Sequence, residues 1–122
     1  MTLQISSAEL EIMKVIWRKP GIGATEVADV LADKQDWNIR TIKTLLSRLV
    51  DKGALSIEQD GRRYLYSPLI AEKAYQKNAA GQLVDRLFGG RAAPLVAQLA
   101  DARGLSEQDI EELEALLGRL KR

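Results

Sequence analysis

Three stretches of helical period, then a stretch of alternating period, predict a mainly α chain with a small β-hairpin wing, the element order of a winged helix-turn-helix domain. Two observations carry this class. From Asn38 to Leu49 the apolar residues Ile39, Ile42, Leu45, Leu46 and Leu49 recur at helical spacing and line one face. From Leu55 to Tyr66, the residues Leu55, Ile57, Tyr64 and Tyr66 alternate with polar ones around Asp60-Gly61. Asp-Gly between alternating segments signals a hairpin, because both turn residues must tolerate positive φ. A third observation sets the organisation: beyond Ser67-Pro68 the helical period returns, so a helical domain is expected to follow the winged one.

The first helix has a marked start. Ser6 and Glu9 form a Ser-x-x-Glu capping box, with Ile5 and Leu10 spaced as its hydrophobic staple. Leu10, Met13, Ile16 and Trp17 make its expected buried stripe, and Pro20-Gly21 ends it. A shorter second helix follows Gly23-Ala24-Thr25, with Val27, Ala28, Val30 and Leu31 as its apolar face, and fades near Asp33. Asn38 is a suitable N-cap for the third helix, and Gly53 stops that helix after Lys52. Arg62 and Arg63 follow the hairpin turn and make its tip basic. In the tail, one helix spans about Ala71 to Phe88 and is interrupted by Gly89-Gly90; Ala93-Pro94 opens a short helix that Gly104 ends. Ser106 caps the last helix, whose seam is Ile110, Leu113, Leu116, Leu117 and Leu120. Acids fill its first turns and Arg119, Lys121 and Arg122 its end, as the helix dipole favours.

Composition bounds the function. The 122 residues are 46% apolar and 29% charged, a folded chain of one ordinary domain or a small domain with a helical appendage. No run of about 18 apolar residues exists, so no membrane span is expected. The start Met1-Thr2-Leu3-Gln4-Ile5-Ser6 carries no basic-then-apolar leader, which makes the cytoplasm the default location. The sequence has no His and no Cys, so soft-metal sites and Ser-His-Asp or Cys-His machinery cannot be built. With no Gly-rich phosphate loop and no acid pair at a strand end, neither an enzyme nor a bound metal or cofactor is expected. Net charge is only +1, and the two parts are balanced: ten Lys and Arg against nine Asp and Glu in residues 1–68, eight against eight in 69–122. Any basic surface must therefore arise from placement.

That placement is visible in the third helix. Opposite its apolar stripe lie Arg40, Thr41, Lys43, Thr44, Ser47 and Arg48, with no carboxylate from Asn38 to Val50. A solvated helix usually mixes both signs; short hydroxyls and long cations alone suit phosphates and base edges. Lys43 and Arg48 can pair with guanine edges or with phosphates, while Thr41 and Thr44 suit phosphate or thymine-methyl contacts, or are ordinary helix surface. Ser47 stands equally between the two readings. Arg62 and Arg63 extend the basic surface to the hairpin, or else only solubilise an edge strand. Trp17 and Trp37 read as core residues rather than stacking platforms. About fifty tail residues with narrow apolar stripes bury little alone, and without disulfides a second copy of the chain is the natural supplier of buried area. Leu83, Leu87, Leu95, Leu99, Ile110, Leu113, Leu117 and Leu120 are the residues expected at that pairing. The organisation expected is thus a winged-helix DNA-binding domain at 1–68 and a helical dimerisation domain at 69–122.

Over nearly its whole length the chain resembles the BlaI/MecI/CopY family of penicillinase-type transcriptional repressors. The resemblance lies in Ser7-Ala8-Glu9-Leu10-Glu11-Ile12-Met13 with Ile16-Trp17, in Thr41-Ile42-Lys43-Thr44-Leu45-Leu46-Ser47-Arg48-Leu49 with Lys52-Gly53, and in Tyr64-Leu65-Tyr66-Ser67-Pro68. It continues in Leu87-Phe88-Gly89-Gly90 and Ile110-Glu111-Glu112-Leu113. It implies a homodimeric repressor on an inverted-repeat operator, controlling genes of the β-lactam-resistance type. Thr41, Lys43, Thr44 and Arg48 would then meet DNA from helix three, and Arg62 and Arg63 from the wing. Copper-responsive relatives use a Cys-rich tail motif that this chain lacks. Other relatives are relieved by a regulatory protease, typically at an Asn-Phe bond; the corresponding bond here is Gln98-Leu99. Two other readings stay open at this point: a winged-helix protein–protein module, and a MarR-like regulator responding to a small effector.

Overall fold

The computed structural model describes residues 3–122; Met1 and Thr2, where the expected leaderless start begins, lie outside the described residues. The chain divides into two compact units, 1–78 and 79–122.

In the first unit, α1 (Ser7–Arg18) opens on the expected capping box. Ser6 Oγ accepts the Glu9 N–H at 3.1 Å and the Glu9 carboxylate accepts the Ser6 N–H at 2.8 Å. Its buried face is Ile12, Met13, Val15 and Ile16, whereas Leu10 and Trp17 are only half-buried at the margins. The stripe expected through Leu10 and Trp17 is thus turned, because α1 packs against α2, α3 and the sheet and is covered over a broader arc. A two-residue strand, β1 (Ile22–Gly23), precedes α2 (Ala24–Leu31). In α2 Val27 and Leu31 are buried, but Val30 is 55% exposed, so the apolar face is narrower than the sequence suggests.

Next, α3 (Ile39–Asp51) starts at Asn38, whose Oδ1 accepts the Thr41 N–H at 2.9 Å. Ile42, Leu45, Leu46 and Leu49 are buried, while Ile39, in the first turn, is 41% exposed and does not join the core. β2 (Leu55–Asp60) and β3 (Arg63–Pro68) then form the hairpin, and the antiparallel order of the sheet is β1-β3-β2. The turn residues are Gly61 and Arg62, one position later than the Asp60-Gly61 reading, because Asp60 still pairs with Arg63 in the ladder. Gly61 has φ +66° and no described non-glycine residue has positive φ, which matches a turn with glycine at its first central position.

Glu9 is the buried charged residue of this unit, at 1% exposure. Burial alone would push its carboxyl up, but hydrogen bonds from Lys52 and from the Ser6 backbone and hydroxyl, with the Lys52 charge, hold it below the ordinary carboxylate value. Lys52 Nζ stands 2.5 Å from Glu9 Oε1 and also donates to the Gln4 carbonyl at 2.9 Å. The pair ties the N-terminus of α1 to the C-terminal end of α3.

Residues just past Pro68 still belong to the first unit. The Leu69 N–H donates to the Ala54 carbonyl at 2.9 Å, and Trp17 Nε1 donates to the Ile70 carbonyl at 2.9 Å. Tyr75, on α4 (Glu72–Phe88), lies with its ring 5.8 Å from that of Trp17. Both tryptophans are thus packing residues, Trp37 lying partly buried against the core. α5 (Ala92–Arg103) takes Pro94 in its first turn, and α6 (Glu107–Leu120) is capped by Ser106 and Asp109 in a capping box. None of the described residues of α4, α5 or α6 is buried. No helix is long and apolar enough to cross a membrane among the described residues.

Candidate nucleic-acid interface

The surface with an unusual chemistry is the outer face of α3. Packing of Ile42, Leu45, Leu46 and Leu49 into the core turns the opposite side chains outward. Arg40, Lys43, Thr44, Ser47 and Arg48 are all exposed and, with Ile39, line one shallow depression. Thr41 is half-buried. The Thr44 hydroxyl donates to the Arg40 carbonyl at 3.0 Å, which leaves its oxygen able to accept. No ion pair engages Arg40, Lys43 or Arg48 among the described residues. Five of the six polar residues expected on this helix therefore line one depression, and Thr41 does not.

Arg62 occupies the hairpin turn and Arg63 the first position of β3. These two and Lys43 line a cleft of about 520 Å³ with Thr25, Glu26 and Tyr64. Lys43 belongs to both depressions, so the cationic surface runs from α3 to the wing. Arg63 is less free than its place in the sequence suggests: its Nη2 lies 2.5 Å from Glu26 Oε1. The hydrogen bond from Arg63 is the main reason the Glu26 carboxyl sits below its ordinary range. Sequence reading missed Thr25, Glu26 and Tyr64 here, since each is unremarkable in its own element and only the fold collects them.

The expected tail seam is open to solvent in one copy of the chain. Leu87, Leu99, Ile110, Leu117 and Leu120 are exposed, Leu117 at 53% and Leu120 at 71%, while Leu83, Leu95 and Leu113 are half-buried. Gln98 and Leu99 lie in the middle of α5, both exposed.

Three helices, a three-stranded sheet and a one-signed face on the third helix define a winged helix-turn-helix protein of the DNA-binding class. The model of the penicillinase repressor family matches residues 5–119, and the chain belongs to that family, whose members are transcriptional repressors. The penicillinase repressor of Bacillus licheniformis is 38% identical, over 93% of this chain and 89% of its own length. The solved DNA-binding domain of the repressor BlaI is 45% identical with TM-score 0.55, covering 62% of this chain and 92% of that one. The monomeric form of Bacillus licheniformis BlaI in complex with the blaP half-operator is 47% identical with TM-score 0.51, covering 59% of this chain and 88% of that one.

Proposed function

We propose that this chain represses transcription in the cytoplasm as a homodimer, each copy laying α3 into the major groove of one half of an inverted-repeat operator. The observation that carries the reading is the exposed face of Arg40, Lys43, Thr44, Ser47 and Arg48, which bears no carboxylate and, among the described residues, no ion pair on its cations. In this reading those residues and Thr41 contact bases and phosphates, and Arg62 and Arg63 contact the backbone from the wing. The relative described on a half-operator supports DNA as the partner over a protein-docking module or an effector-responsive regulator.

Pairing would be built within residues 69–122, by the part past the first unit, through Leu83, Leu87, Leu95, Leu99, Ile110, Leu113, Leu117 and Leu120. The support is the absence of any buried residue in α4, α5 and α6 beside this set of large apolar side chains. A two-fold dimer of this kind presents two reading helices to successive half-sites. Genes of the β-lactam-resistance type fit the family, and a regulatory protease cutting between Gln98 and Leu99 would detach α6, with Ile110 to Leu120, from the reading unit.

The test is a gel-shift titration of the purified protein on the DNA flanking its own gene. A retarded complex whose affinity falls steeply between low and moderate salt supports phosphate-dominated binding. Indifference to that DNA and to every other duplex at low salt overturns it.

A further inference from the structure

We propose that Glu26 is a positioning residue for DNA contact: it grips one edge of the Arg63 guanidinium at the tip of the wing, so that the remaining N–H groups meet a backbone phosphate. The inference rests on the DNA reading above and goes beyond it. A carboxylate on a surface built to approach phosphate is at first sight a defect, since it repels the ligand. The geometry gives it a use. Glu26 Oε1 accepts from Arg63 Nη2 at 2.5 Å and from the Gly23 N–H at 3.4 Å, so the carboxylate is itself anchored to backbone. Gly23 is in turn fixed by its pairing with Leu65 in the β1–β3 ladder.

The pair packs directly over Gly23. A Cβ there would lie 3.4 Å from Arg63 Nη2 and 3.5 Å from Glu26 Oε1, so a side chain beyond a methyl group would displace the ion pair. Arginine carries five N–H donors in a planar fork, and the Arg63 hydrogen bonds among the described residues use one of them. Its side chain is 57% exposed, and it shares the cleft with Lys43, Arg62, Thr25 and Tyr64. One edge is held and the other is presented, beside two further cations. An unheld arginine at a hairpin tip would sample many rotamers and lose that freedom on binding.

Positioning and simple repulsion predict opposite signs for one substitution. Fluorescence anisotropy with a mixed-sequence duplex three helical turns long, about 30 bp, is measured from low to moderate salt for wild type, Glu26→Gln, Arg63→Gln and the double variant. Removing a negative charge beside DNA should tighten binding if Glu26 only repels. If Glu26 positions Arg63, Glu26→Gln weakens binding by about threefold to tenfold, since the charge-assisted hold is lost. The slope of log affinity against log salt then shrinks toward that of Arg63→Gln, itself about one unit shallower than wild type. In the Arg63→Gln background, Glu26→Gln produces no further loss.

Tighter binding by Glu26→Gln in the wild-type background overturns the proposal. Equal loss in both backgrounds also overturns it, because the effect then belongs to the Gly23 cap. A wild-type protein that ignores the duplex at low salt overturns the DNA reading and this inference together, whereas wild-type binding with a tighter Glu26→Gln overturns this inference alone.

Discussion

Leu117→Asn is the substitution that most directly weighs the proposed pairing of two copies. Leu117 is 53% exposed on α6, in a unit with no buried residue. Fully burying a leucine side chain contributes about 1.5–3 kcal/mol, so covering the exposed half contributes about 0.8–1.6 kcal/mol. A two-fold axis presents the same residue from each copy, which doubles the effect to about 1.6–3.2 kcal/mol, or about 15- to 200-fold in the dimer dissociation constant. Asparagine also brings an amide that must be desolvated, so this is a lower bound. Sedimentation equilibrium at several protein concentrations reads the shift as a fall in average mass toward the monomer. Urea unfolding of residues 1–78 should be unaffected, since Leu117 lies in the other unit. Equal average masses for wild type and variant at every concentration would refute the reasoning.

Other outcomes are expected at the reading head and in its core. Lys43→Ala and Arg48→Ala should each cost about 1–3 kcal/mol of operator binding where the side chain makes a bidentate base contact. Where it meets phosphate instead, the salt slope should fall by about one unit; gel-shift titrations that leave affinity and slope unchanged in both variants would move the interface elsewhere. Leu46→Ala removes a fully buried side chain and should cost about 2–5 kcal/mol, read by urea unfolding. Because the Glu9 carboxyl is held below its ordinary value, its contribution is present above that value and fades as pH falls through the lowered one, so the folded state should weaken on acidification. Lys52→Met leaves the buried carboxylate without its cation. At neutral pH it should cost about 3 kcal/mol or less, because Lys52 is itself 37% exposed, and the sign of this group's pH effect should reverse once burial prevails. Unfolding curves at neutral and mildly acid pH distinguish the two slopes.

The parts of this fold legible in the sequence are those where local rules and tertiary packing agree. The caps at Ser6, Asn38 and Ser106 depend on residues three positions apart and need no distant partner. The polar face of α3 was legible for the same reason, since helical period alone places Arg40, Lys43, Thr44, Ser47 and Arg48 together. Features set by neighbours were not. The buried arc of α1 passes through Ile12 and Val15 because three elements surround that helix, and Val30 and Ile39 stay exposed because nothing covers them. A strand of two residues such as Ile22-Gly23 is too short to show alternation, and it exists because β3 offers an edge. The Glu26–Arg63 pair joins residues 37 positions apart, a spacing that no local pattern encodes.

The distribution of burial bears on how such a repressor is controlled. Every described residue in the buried core belongs to residues 9–66, so the reading unit carries its own core, whereas the tail helices have none. Operator affinity in a dimer is set by two half-site contacts joined at a high effective concentration, and it collapses toward the affinity of one half when the joint is lost. If two copies pair through the tail as proposed, stability of the reading head and avidity for the operator are governed by different residues. Under the proposed tail pairing, damage confined to α6 should lower occupancy of the operator without unfolding α3, and leave a protein that meets one half-site weakly. Damage at Leu46 or Glu9 should act the other way, removing the proposed reading surface while the apolar residues of α6 are untouched. On the proposed pairing, a signal that must release DNA quickly is best directed at the tail, where no buried core has to be opened.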